Sequence, residues 1–160
     1  MSVRTETLPK NALLQRYAQD PLNYTDCYVK DVAGTIGLSD FMMAFYTTRL
    51  FRAERFVLKI TARKPSTDAD ALAVADGEAM TFAVWTVEDR TSDQALLCDM
   101  ARLTRSWFMV KAIPDGTRLY FGSAVTPTSP LVKVLTPLHT LYSRLLLGAA
   151  KPLQSGSADH

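Results

Sequence analysis

By residue type, His139 and Asp99 are the positions of this sequence best suited to moving a proton. His139 is the only histidine apart from the terminal His160, and it falls on the first turn of a helix expected from residue 137, at the edge of that helix's apolar arc. An imidazole facing a cavity there would titrate near neutral pH and could serve as general acid or base. The plainer reading is a helix-start histidine bonded to backbone or water. Asp99 lies in Leu96-Leu97-Cys98-Asp99-Met100-Ala101, a strand-like run that is apolar on both faces. A carboxylate in such a run must be paired or desolvated. Desolvation would raise its pKa and prepare it for acid chemistry, whereas pairing with Arg102, Arg105 or Arg118 would make it structural. Glu88 and Asp89, at a strand end beside Arg90, read as solvated turn charges.

The remaining chemistry is mostly excluded. Cys27 and Cys98 have no second cysteine or histidine at ligand spacing, and one internal histidine cannot assemble the three or four ligands of a zinc or iron site. No metal and no cofactor is implied, and the two cysteines read as buried free thiols. The sequence has no G-x-S-x-G and no glycine-rich phosphate loop, and Gly34-Thr35-Ile36-Gly37 is too short to count. Eighteen Lys and Arg against sixteen Asp and Glu leave a net charge of +2, too little to predict nucleic-acid binding. Electrostatic contacts must therefore be local. Arg49, Arg52, Arg55, Lys59 and Arg63 share one face of an expected helix, which is either a solvated outer face or a peripheral contact for anionic lipid headgroups.

The elements that would position these residues follow from periodicity and turn chemistry. A short amphipathic helix is expected over residues 11–19, then a strand over 22–32, rich in strand-forming types and closed by Gly34 and Gly37. Ser39-Asp40 reads as a helix N-cap, and nothing stops a helix before about residue 63. Phe41 and Phe45 fall on the basic side, which predicts a bend or a helix pair near 48–54. Residues 64–75 read as an exposed loop. Four strands are expected over 80–88, 94–102, 106–113 and 118–125, with Pro114-Asp115-Gly116 closing a hairpin through a loop of three to five residues. Ser129-Pro130 and Thr136-Pro137 are each an N-cap followed by proline, so a C-terminal helix is expected from 137 to 148, with Leu138, Leu141, Tyr142 and Leu145 on its apolar arc. A disordered tail is expected over 151–160.

Hydrophobic content of 48% and charged content of 21% fit one ordinary domain over residues 1–150, large enough to bury a core without staples. The first residues lack the apolar run of a secretory signal, and the apolar stretch 131–147 is too often interrupted to span a membrane, so a cytoplasmic location is expected.

Strand, helical insert, antiparallel meander and long C-terminal helix, in that order, resemble the helix-grip fold of the START-like, polyketide-cyclase-like superfamily. The run Arg118-Leu119-Tyr120-Phe121-Gly122-Ser123-Ala124-Val125, followed by Thr136-Pro137-Leu138-His139-Thr140-Leu141-Tyr142, resembles the closing strand and proline-histidine helix start of bacterial members of that superfamily. The resemblance covers residues 80–150. It implies an α+β domain in which a curved antiparallel β-sheet packs on a long C-terminal helix, with a helical insert after the first strand. It also implies an apolar small molecule or lipid held between the two. Expected lining residues are Trp85, Cys98, Met100, Phe108, Tyr120, Leu138, Leu141, Tyr142 and Leu145, with His139 or Asp99 fixing a polar end. Two alternatives remain open. One is a cyclase- or hydrolase-like enzyme with His139 and Asp99 as its acid and base in the same cavity. The other is a nuclear-transport-factor-like cone domain, and strands apolar on both faces leave a homodimer open in either fold.

Overall fold

The computed structural model describes residues 2–48, 68–82, 85–99, 102–126 and 147. In chain order these form β1 (Arg4–Thr5), α1 (Gln15–Ala18), β2 (Tyr24–Ala33), α2 (Leu38–Tyr46), α3 (Asp68–Ala75), β3 (Thr81–Phe82), β4 (Trp85–Arg90), β5 (Gln94–Asp99), β6 (Thr104–Ile113) and β7 (Gly116–Val125). The strands make one antiparallel sheet in the order β1-β2-β7-β6-β5-β4-β3, so the first long strand closes against the last and the others run as a meander. The fold class is α+β, with the helices inserted after the first long strand as expected.

The β6–β7 hairpin is tighter than the sequence suggests. Ile113 pairs with Gly116, which leaves only Pro114 and Asp115 in the loop. Gly116 has φ +155°, and a Cβ there would lie 2.0 Å from the Val32 carbonyl oxygen on the neighbouring strand, a space only glycine fits.

Each face of the sheet carries its own core. Because side chains alternate along a strand, register sorts them cleanly. Tyr28, Ala95, Leu97, Phe108, Leu119 and Phe121 point to one face, where Phe41, Met42, Phe45 and Tyr46 of α2 and Ala71, Val74 and Ala75 of α3 pack on them. Phe45 stacks on Phe121 at 4.6 Å and meets Phe108 edge-on at 5.0 Å, while Phe41 and Tyr46 approach Phe108 at 5.5 and 5.7 Å. Cys27, Val29, Leu96, Trp107, Met109, Tyr120 and Ala124 point the other way, under a strap formed by Leu8, Ala12, Leu13, Leu14 and Tyr17. This second cover explains strands that read as apolar on both sides.

The strap is held by Gln94, which is only 4% exposed. Its Oε1 accepts from the Leu13 backbone N–H at 3.0 Å and from Trp107 Nε1 at 2.9 Å, and its Nε2 donates to the Asn11 carbonyl at 3.1 Å.

Two expectations are corrected. Residues 68–75 are not loop but helix α3, because Asp-Ala-Asp-Ala-Leu-Ala-Val-Ala places carboxylates in the first turn and strong helix formers after them. Arg90 donates to the Val74 carbonyl at 3.0 Å and also to that of Ala75, tying the C-terminal end of α3 to β4. Ser39 is not the N-cap of α2: Gly37 occupies that position, and the Ser39 hydroxyl instead donates to the Ala75 carbonyl at 2.7 Å, joining the two helices. Helix α2 ends at Tyr46, with Thr47 Oγ1 bonding back to the Met43 carbonyl at 2.6 Å, and the bend or helix pair expected near 48–54 lies, apart from Thr48, outside the described residues.

The basic face of Arg49, Arg52, Arg55, Lys59 and Arg63 lies outside the described residues. So do Met100, the predicted C-terminal helix up to residue 146, with Leu138, His139, Leu141, Tyr142 and Leu145, and the tail 151–160. From that segment only Leu147 is described; it is helical and fully buried, in the same cluster as α2 and α3. Among the described residues no helix is long and apolar enough to cross a membrane.

Candidate functional site

Strand β4 does not pair evenly with β5. Val87 lies opposite Leu97 and Asp89 opposite Leu96, so Glu88 is the extra residue of a β-bulge. Bulges re-aim a side chain at the point where pairing is interrupted, and this one directs Glu88 to the strap side of the sheet. There its carboxylate accepts from the Tyr17 hydroxyl and from Arg105 Nε at 3.3 Å, with Arg16 Nη1 at 3.8 Å. Arg105 lies over the Tyr17 ring, its guanidinium carbon 4.5 Å from the ring centroid. Arg16 also pairs with Asp89. Glu88 and Asp89 are solvated, as expected, but they lie within β4 and bond the sheet to the strap.

Beside this network lies a cleft of about 620 Å³, lined by Tyr17, Thr86, Val87, Glu88, Cys98, Asp99, Arg102 and Arg105. Its volume suits a small organic molecule, for which roughly 300–1,000 Å³ is usual. Cys98, on β5, projects between Thr86 and Arg105 in register and is 8% exposed. Burial pushes its thiol pKa up, opposed by Arg105 and Arg102 and assisted by Glu88 and Asp99. A thiol so held stays protonated and makes a weakly polar floor, not a nucleophile. Burial, then the Glu88 carboxylate, likewise raises the Tyr17 phenol and keeps it a donor. Burial works against the charge on Arg105, but its neighbours, with the Glu88 carboxylate bonded to it, more than offset this and raise its pKa.

The turn from β5 to β6 forms the rim. Asp99 accepts from the Leu103 N–H at 2.8 Å and from Thr104 Oγ1 at 3.1 Å, and the Arg102 N–H bonds to the Asp99 carbonyl at 3.0 Å. The Asp99 carboxylate thus caps a turn. It does not take an arginine partner among the described residues, which is the pairing its neighbours suggest. Arg102 adopts φ +58°, and it is the only described non-glycine residue with positive φ.

The sequence-selected residues fall in three places. Cys98 and Asp99 line the cleft. Tyr120 is on the same face but under the strap, 6.0 Å from Trp107 between ring centroids. Trp85 and Phe108 belong to the opposite, helix-covered face, where Phe108 is fully buried among aromatic rings. Trp85, Phe108, Cys98 and Tyr120 therefore do not border one common space. His139 lies outside the described residues, so its approach to Asp99 does too. Among the described residues no three His, Cys, Asp or Glu side chains gather to hold a metal ion.

Tyr17, Thr86, Val87, Glu88, Arg102 and Arg105 complete the described lining; the sequence marks Glu88 as a turn charge and Arg102 and Arg105 as partners for Asp99, and none of the six as a cavity wall. One signal was present: Arg105 shares its strand face with Trp107 and Met109, and an arginine on an apolar face requires a carboxylate partner. The chain matches no protein-family model and no curated protein sequence.

Proposed function

We propose that this domain binds a small organic molecule in the cleft between the strap and strands β4, β5 and β6, without performing chemistry on it. The observation that carries this reading is the cleft itself: about 620 Å³, with the Cys98 thiol on the sheet surface and polar groups around it. Ligand sites commonly combine such a floor with a few polar groups that fix orientation. The cleft groups described above favour binding over catalysis. Glu88 is engaged by Tyr17 and Arg105, Asp99 caps its turn, and the Cys98 thiol is held protonated. The ligand is apolar over most of its body, as the resemblance to helix-grip proteins implies, with one polar end at the arginine rim.

A second location is favoured by topology. β2 closes on β7 with the helices inserted between them in sequence, and Leu147 is buried on the helix-covered face. That arrangement agrees with a helix-grip domain, whose ligand would lie between the sheet and the C-terminal segment. Against it, the described part of that face is filled by Phe41, Phe45, Tyr46, Phe108 and Phe121.

Native mass spectrometry of the purified protein, with extraction of whatever stays bound, tests the cleft. Thr86 is exposed on the cleft wall, so Thr86→Trp fills the space without entering the core. A molecule bound to the wild type and absent from Thr86→Trp supports the reading. An empty wild type, or a variant that retains the molecule, contradicts it.

A further inference from the structure

We infer that Arg102 anchors an anionic group, a carboxylate or its equivalent, on the molecule that occupies the cleft; the inference rests on the cleft reading above. The charges around the cleft are unequally committed. Glu88 is bonded to Arg105 and Tyr17, and Asp99 to the Leu103 N–H and the Thr104 hydroxyl. Arg105 is taken by Glu88 and by the Arg102 carbonyl at 2.5 Å. Arg102 is exposed, lines the same cleft and has no carboxylate within ion-pair distance among the described residues. With both carboxylates of the described lining engaged and one described cation left over, the complementary ligand carries a negative charge.

Backbone geometry sharpens the point. Residue 102 is fixed by its N–H to the Asp99 carbonyl at 3.0 Å and by its own carbonyl, which accepts from Arg105 and from Thr126 Oγ1 at 3.3 Å. These bonds use only the backbone of residue 102, and at φ +58° glycine would make them without the steric cost that a side chain brings. Folding therefore does not call for arginine here. Strain of this kind, over-determined by its surroundings and located at a cleft, is what a binding residue held in a fixed direction looks like. The guanidinium offers forked donors suited to a planar carboxylate.

The test uses two probes of one shape, 1-naphthylacetate and the neutral 1-naphthylacetamide, titrated into the full chain by calorimetry. Wild type should prefer the acetate by about tenfold, the lower end for a hydrogen bond to a charged group. Arg102→Gly, which relieves the left-handed strain, should bind the two probes equally and the amide as well as wild type does. Equal affinities in wild type, or a preference that survives Arg102→Gly, overturn the inference while leaving the cleft occupied. If neither probe binds, the cleft reading falls and the inference with it.

Discussion

Gln94→Leu should destabilise the domain by about 3 kcal/mol, although leucine matches glutamine closely in size and the position is buried. The amide side chain joins three separate pieces of backbone and side chain: the Leu13 N–H, the Asn11 carbonyl and the Trp107 indole. Leucine leaves two donors without partners. Trp107 is fully buried, so its N–H is orphaned outright, whereas Leu13 is half-buried and water reaches the Asn11 carbonyl. Each buried orphan costs about 1–3 kcal/mol, and the pair sums to about 3. For a domain of this size that corresponds to a fall in Tm of roughly 9 °C. Urea unfolding followed by Trp fluorescence measures it, and hydrogen exchange locates it: the amides of residues 8–19 should lose protection before those of β6 and β7. A loss below about 1 kcal/mol, or uniform loss of protection, would refute the idea that Gln94 fastens the strap.

Gly122→Ala should cost about 2 kcal/mol in the same unfolding assay, since its Cβ would lie 2.8 Å from the Asp26 carbonyl oxygen and 2.9 Å from both Leu14 and Trp107. Hydrogen bonds from Arg118 hold the Asp31 carboxyl below its usual pKa, with Arg4 assisting. A depressed folded-state pKa gives stability that is complete above the unfolded value of about 3.9 and is lost as pH falls through the folded one, so the advantage of wild type over Asp31→Asn should be full at pH 7 and vanish in acid. A gap that does not shrink as the pH falls below the unfolded value would contradict this. Burial pushes the Cys27 thiol up to about 12 and raises that of Cys98 as well, so iodoacetamide at pH 8 should leave both unmodified in the native protein and label both in urea.

Local patterns in the sequence reveal much of the sheet. Strand-forming runs locate β2 and the meander, and Pro114-Asp115-Gly116 locates the β6–β7 hairpin. Patterns that depend on partners distant in sequence are not legible in the same way. Trp107 and Phe108 are adjacent and aromatic, but only the strap and α2 decide which core each enters, and those covers come from residues 8–17 and 38–46. The cleft is harder still to read. Glu88 matters because a bulge turns it toward Arg105, and a bulge is a property of the β4–β5 pairing, not of either strand's composition. Asp99 was legible as a carboxylate in need of partners, yet its partners are a turn N–H and a hydroxyl four and five residues away. Alternation along the strands announces two faces, and the expected lining residues Cys98 and Phe108 lie on opposite ones.

Intermolecular nuclear Overhauser effects from bound 1-naphthylacetate test the location of the ligand most directly. If the ligand lies in the strap-side cleft, the naphthyl protons should show contacts to the Tyr17 ring and the Thr86 methyl group, and none to the rings of Phe41, Phe45 or Phe108. Contacts to those phenylalanines without any to Tyr17 and Thr86 would place the ligand on the helix-covered face and contradict the account.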